Sequence, residues 1–135
     1  MNLIIYIPFL GVLGLVIAWF LYQFIKKQST GTKVMTEISE TIHRGAMVFL
    51  KKEYSILLFF IIVVFSLLYW KLGLYTAIAF LSGAICSMLA GYFGMNAATR
   101  ANVRTAQAAK IKGTAGALSI SFWGGAVMGL SLIHI

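Results

Sequence analysis

The sequence contains very few acidic side chains: three glutamates and no aspartate in 135 residues. Charged residues of both signs make up only 10% of the chain, whereas soluble domains carry about 25%. The hydrophobic share is 61%, which exceeds the 45–50% or so that is typical of soluble domains. The composition therefore excludes a soluble globular domain and indicates an integral membrane protein.

Cysteine and proline are almost absent as well. Cys86 is the single cysteine, so no disulfide can form within the chain. The single proline, Pro8, lies early in an apolar run, where a missing N–H does little harm to a helix. The apolar runs are long and continuous rather than alternating, and such runs cross membranes as helices and not as barrel strands. These features predict an all-α integral membrane fold.

The positive charges are concentrated in two zones. Of the eleven lysines and arginines, six lie between residues 26 and 52 and four lie between residues 100 and 112. This distribution follows the positive-inside rule, so we expect an N-terminus outside, two basic cytoplasmic loops and no binding to nucleic acid. The residues predicted to set this topology are Lys26, Lys27, Lys51, Lys52, Arg100, Arg104, Lys110 and Lys112.

Four transmembrane helices are predicted between and beside these zones. The first is too long for a cleaved signal peptide and has no positive charge before it. The last has no charged flank after it and is therefore expected to be truncated. The predicted segments are helix 1 at about 3–25, a cytoplasmic amphipathic helix at 35–53 continuous with helix 2 at 54–70, helix 3 at 74–99, a cytoplasmic loop at 100–112, and helix 4 at 113–135.

Small residues recur every four positions on predicted helices 3 and 4. This spacing lets helix backbones approach closely in membranes, so we predict that these faces pack against other helices. The predicted packing residues are Ala79, Gly83, Ser87, Gly91, Gly94, Ala117, Ser121, Gly125 and Gly129. Glu37, Glu40 and His43 lack the spacing of metal ligands, and we interpret them as a solvated helix face with a surface histidine.

Three blocks of sequence occur in a distinctive order: Met35-Thr-Glu-Ile-Ser-Glu-Thr-Ile-His-Arg-Gly-Ala46, then Gly91-Tyr-Phe-Gly-Met95 followed by Ala98-Thr-Arg-Ala-Asn102, then Gly125-Ala-Val-Met-Gly129. Together they resemble the membrane-bound, ion-translocating pyrophosphatases, which are pyrophosphate-energised proton or sodium pumps. The likeness covers about residues 35–130, and the last four residues, including His134, depart from the pattern of that family.

The resemblance implies a much longer multi-pass membrane protein, usually a homodimer, in which these helices form part of an outer layer packed on the remaining helices of the pump. It implies hydrolysis of pyrophosphate as substrate, with magnesium as cofactor and potassium as a candidate second cation, coupled to export of protons or sodium. The aspartate-rich catalytic motifs of the family are missing, so this chain alone is expected to be inactive. No catalytic, cofactor-binding or metal-binding residue is assigned to it.

Two other classes are compatible with the length: a small four-helix transporter that works as an oligomer, and a non-catalytic membrane subunit. Such a transporter generally needs an ionisable residue inside a span. The predicted spans 3–25 and 54–70 contain none, which counts against it.

Overall fold

The structure, a computed structural model, describes residues 6–132. It consists of three helices: α1 (Tyr6–Lys27), α2 (Lys33–Leu72) and α3 (Leu74–Leu132). All three are long and apolar enough to cross a membrane, and residues 6–132 contain no strand. The predicted all-α membrane class is therefore confirmed. The first residues of predicted helix 1, and the end of predicted helix 4 with His134, lie outside the described residues.

The connection between α1 and α2 is a short polar segment. Thr32 is the N-cap of α2, and its Oγ1 accepts a hydrogen bond from the backbone N–H of Met35 at 3.4 Å. From there α2 continues without a break for 40 residues, a length of about 60 Å at 1.5 Å per residue. The hydrocarbon core of a bilayer is about 30 Å thick, so a large part of α2 extends beyond it.

A single residue separates α2 from α3. Gly73 has φ 88° and ψ 173°, a backbone conformation that is essentially restricted to glycine. The chain therefore turns on one residue between Leu72 and Leu74.

The chain reverses its direction within α3, at Gly113, which has φ 68° and ψ −163°. On either side of this break the two halves touch. A Cβ placed on Gly94 would lie 2.6 Å from Cγ of Met128, and one placed on Gly124 would lie 2.7 Å from Cβ of Ala101. In a straight helix residues 94 and 128 would be about 51 Å apart. The two halves of α3 therefore lie side by side.

The structure differs here from the prediction of four helices joined by loops. The predicted third helix, the predicted loop at 100–112 and the predicted fourth helix all belong to α3. Residues 100–112 are helical because alanine, arginine, glutamine and lysine favour helix, and no breaker occurs before Gly113. The predicted cytoplasmic loop is therefore corrected to a helical segment that ends in a one-residue break.

The α3 helix is the centre of the fold. It packs against both α1 and α2, whereas within the described residues α1 and α2 do not contact each other. The core where α1 meets α3 is made mostly of small side chains, which bring the helix backbones close together. Its buried members are Ala18, Ile25, Ala97, Ala101 and Val127.

Candidate functional site

The basic end of the molecule is organised around Arg104, whose side chain is only 9% exposed. Its Nε donates a hydrogen bond to the carbonyl of Gln28 at 3.2 Å, and its Nη2 donates to the carbonyl of Lys26 at 3.4 Å. Its Nη1 donates to the carbonyl of Arg100, one turn earlier on α3, at 2.6 Å. Carbonyls at the end of a helix lack partners within it. Arg104 supplies such partners and thereby joins α3 to the end of α1.

The charge of Arg104 suits this position, because the C-terminus of a helix carries partial negative charge. Burial and, secondly, the neighbouring charge of Arg100 lower the pKa of Arg104 from its ordinary value. Arginine nevertheless stays protonated in proteins. Neither α1 nor α3 contains an acidic residue, and the three acceptors of the Arg104 hydrogen bonds are backbone carbonyls, which stabilise this buried cation.

The α2 helix is tied to α3 close by. Nδ1 of His43 lies 2.7 Å from Oγ1 of Thr99, which is buried. The Thr99 hydroxyl also lies 2.8 Å from the carbonyl of Met95. A hydroxyl has one proton to donate, so when it donates to Met95, His43 must donate from Nδ1. The expected surface histidine is thus corrected: His43 is half-buried because α3 packs beside it.

The remaining residues predicted to set the topology are buried to differing degrees. Arg100 is half-buried, and its Nε donates to Oδ1 of Asn96 at 3.0 Å. The exposed members of the predicted set are Lys26, Lys27, Lys51, Lys52, Lys110 and Lys112.

Two of the predicted packing residues make close contacts. A Cβ on Gly91 would lie 2.8 Å from Oη of Tyr54, whose hydroxyl donates a hydrogen bond to the carbonyl of Met88. Gly94 lies against Met128 in the other half of α3. The other predicted packing residues are exposed or half-buried, and those that are glycines have nothing within 4 Å of the Cβ position: Ala79, Gly83, Ser87, Ala117, Ser121, Gly125 and Gly129.

The sequence pattern missed Gly124, which is buried against Ala101. The predicted repeat of small residues passes through Gly125. Gly124 is next to Gly125 in the sequence and therefore lies on a different face of the helix. The available signal lies in the neighbours of Gly124: Ile120 and Val127 are apolar, share its face and are buried. Apolar neighbours on the same face therefore indicate Gly124 as the buried glycine.

The acidic residues do not converge on a site. Glu37, Glu40 and Glu53 are exposed along α2. In the part of the chain that the structure describes, no three His, Cys, Asp or Glu side chains come together as a ligand set for a metal. Magnesium is held in phosphate-cleaving sites by carboxylates together with the phosphates themselves. The residues of this chain therefore do not fit a magnesium–pyrophosphate site.

These features define a helical membrane protein with a basic end and closely packed glycines. The sequence model of the family described as inorganic H+ pyrophosphatase matches residues 12–135. The chain belongs to this family, which confirms the resemblance found in the sequence.

Several relatives are similar over nearly the whole chain. It is 50% identical over 129 residues to a Clostridium tetani protein assigned as a K+-stimulated pyrophosphate-energized sodium pump, covering 96% of this chain and 19% of that protein. It is 42% identical over 136 residues to the K+-insensitive pyrophosphate-energized proton pump of Methanosarcina mazei, covering 99% and 20%. A K+-stimulated sodium pump of Thermotoga maritima is 42% identical over 112 residues, covering 82% and 15%. The chain thus spans a fifth or less of the length of these relatives.

Proposed function

We propose that this chain forms outer-layer helices of a membrane pump that couples pyrophosphate hydrolysis to the translocation of protons or sodium ions. The observation that carries the proposal is membership of the pyrophosphatase family over residues 12–135. In this proposal the catalytic site, with its magnesium ions, is built by other parts of the pump. The same proposal includes pyrophosphate as the substrate, potassium as a candidate second cation, and a homodimer as the assembly.

The proposed topology has four membrane crossings, with the start of α1 outside. The reversal at Gly113 supports a third and a fourth crossing: residues 74–99 are about 39 Å long as a helix, enough to span the hydrocarbon core, and the second half of α3 returns beside them, with Gly124 level with Ala101 and Met128 level with Gly94. The basic zones meet at one end, where Arg104 binds the carbonyl of Lys26 and where His43 lies beside Thr99. By the positive-inside rule this end is cytoplasmic.

A groove between the two halves of α3 supports the outer-layer role. It has a volume of about 460 Å³ and is lined only by alanine, glycine, serine, threonine and asparagine. Gly125 lines it, and neither Gly125 nor Gly129 has an atom within 4 Å of its Cβ position. Surfaces of small residues admit close helix contact in membranes. We infer that another helix of the larger pump packs along this face.

A chimera tests the proposal. The corresponding fifth of the Methanosarcina mazei relative is replaced by this chain, and the chimera is expressed in vesicles. We expect magnesium-dependent release of phosphate from pyrophosphate, together with proton uptake reported by quenching of a pH-gradient dye. The native relative is the positive control. This chain alone, and the relative without its matching segment, should both be inactive.

Two results would contradict the proposal. One is a chimera that reaches the membrane at the native level but neither hydrolyses pyrophosphate nor moves protons. The other is phosphate release by the purified chain alone at rates comparable to those of the native relative. That second result would show that these helices carry a catalytic site that the three exposed glutamates of α2 do not account for.

A further inference from the structure

A groove between α1 and α3 is aromatic along its walls. Its volume is about 450 Å³, and its walls include Trp19 and Tyr22 of α1 together with Tyr92 and Phe93 of α3. Trp19 is 56% exposed and Phe93 is 55% exposed. Among the described residues nothing covers these rings, so the groove is open along its side to the surrounding bilayer.

One end of this groove is basic. Lys26 follows Tyr22 by one helical turn, and its Nζ lies 5.7 Å from the centre of the Tyr22 ring. Arg100 follows Asn96 by one turn, and Asn96 lines the groove while accepting the hydrogen bond from Arg100 Nε. Arg104 bonds to the carbonyls of both Lys26 and Arg100. The two cations therefore stand at the same end of the groove.

The charge at this end has no acidic partner in the helices that form it. Neither α1 nor α3 contains an aspartate or a glutamate. All three glutamates lie on α2, where each is exposed. Arg100 donates a hydrogen bond from Nε to Asn96. The other N–H groups of its guanidinium remain to bind a pair of phosphate oxygens. The groove thus combines an apolar channel with a pair of cations whose own helices carry no acidic residue.

We propose that this groove binds an anionic phospholipid, with its phosphate between Lys26 and Arg100 and one acyl chain along Trp19 and Phe93. Anionic lipids are attracted to basic residues just beyond transmembrane segments, by about fivefold for each basic side chain near the headgroups. A zwitterionic lipid offers the same acyl chain but no net negative charge. The site should therefore prefer phosphatidylglycerol to phosphatidylcholine, whether or not the chain is part of a pump.

Fluorescence of Trp19 provides the test. The whole chain is reconstituted in phosphatidylcholine bilayers with Trp70 and Trp123 replaced by phenylalanine, so that Trp19 is the only fluorescent tryptophan. Phosphatidylglycerol or phosphatidylcholine carrying bromine on the acyl chain, which quenches tryptophan on contact, is then added at equal mole fraction. We expect the occupancy beside Trp19 to be about fivefold or more higher for the brominated phosphatidylglycerol.

Charge variants identify the binding groups. The double variant Lys26→Gln/Arg100→Gln should quench equally with the two lipids, because both phosphate donors are gone. The matched double variant Lys51→Gln/Lys52→Gln removes the same charge from α2 and should keep the preference. Circular dichroism checks that both variants retain native helix content. Native mass spectrometry of protein extracted from mixed bilayers should show retained phosphatidylglycerol in the Lys51→Gln/Lys52→Gln variant and not in the other.

Three outcomes would overturn the proposal. Equal quenching of the parent protein by both lipids would show that the basic end does not select the headgroup. No quenching of Trp19 by either lipid would show that a helix or a second copy of the chain fills the groove. A preference that survives in folded Lys26→Gln/Arg100→Gln protein would place the phosphate elsewhere.

Discussion

Replacing Arg104 by alanine measures how firmly α3 holds the end of α1. The side chain is 9% exposed and donates two hydrogen bonds to carbonyls of the α1 end, at Lys26 and Gln28. Hydrogen bonds from charged donors contribute about 1.5–3 kcal/mol each. The distances of 3.2 and 3.4 Å are at or beyond the long end of the usual range, so we take about 1–1.5 kcal/mol for each. We expect Arg104→Ala to lower the free energy of unfolding by about 2–3 kcal/mol.

The assay is unfolding of the purified protein in mixed micelles by increasing dodecyl sulfate, followed by circular dichroism. Arg104→Lys keeps the charge, but a single ammonium does not reproduce the planar fork that spans two carbonyls. It should lose about half as much stability as Arg104→Ala. Arg44→Ala is the control, because Arg44 is exposed on α2 and its loss should change stability by no more than about 0.5 kcal/mol.

The effect of Arg104→Ala should not depend on pH near neutrality. Burial lowers the pKa of Arg104, so the charged form is disfavoured in the fold at every pH below that pKa. Because arginine stays protonated throughout this range, that cost is constant and the carbonyl bonds are present at each pH. A loss that differs between about pH 6 and pH 9, or one equal to that of Arg44→Ala, would refute the reasoning.

Two further substitutions test the glycines that shape α3, with the same unfolding assay. Gly113→Ala should cost about 1–3 kcal/mol because its backbone conformation is essentially restricted to glycine. Gly45→Ala, in an open part of α2, should raise stability by up to about 1 kcal/mol, and an equal gain at Gly113 would contradict the observed turn. Gly91→Ala should cost about 1 kcal/mol by displacing the Tyr54 hydroxyl from its carbonyl, whereas Gly83→Ala should not. Combining Gly91→Ala with Tyr54→Phe should add little further loss, and full additivity would show that the two positions act separately.

The helical class and the apolar spans could be predicted from the sequence because they depend on local properties. In lipid, every backbone N–H and C=O must form a hydrogen bond within the protein, and a continuous apolar segment satisfies this as a helix. The conformation of residues 100–112 is harder to predict. Charged residues indicate that the chain has left the membrane, but they do not distinguish a loop from a helix. Gly113 is the one residue that ends this helical segment, and its conformation depends on how the two halves of α3 pack.

The bonds of Arg104 could not be predicted from the sequence. Its acceptors at the end of α1, the carbonyls of Gln28 and Lys26, lie 76 and 78 positions away along the chain, and no sequence spacing indicates which helix end comes beside which side chain. The same limit applies to His43, which was expected at the surface, because burial beside Thr99 depends on the packing of α2 on α3. Long-range pairing requires the three-dimensional arrangement, whereas composition reports only the local environment.

Within the described residues, α1 and α2 each pack against α3 and not against each other. This arrangement sets the order in which the fold can assemble as the chain is made. Both helices leave the ribosome before their common partner, since α3 follows them and is 59 residues long. At about 5–20 residues per second, α3 takes about 3–12 s to synthesise. Until α3 emerges, α1 and α2 lack the helix against which each of them packs, and both are long and apolar enough to lie in the bilayer without it. The late appearance of Arg104 then fixes an end of α1 that was inserted several seconds earlier.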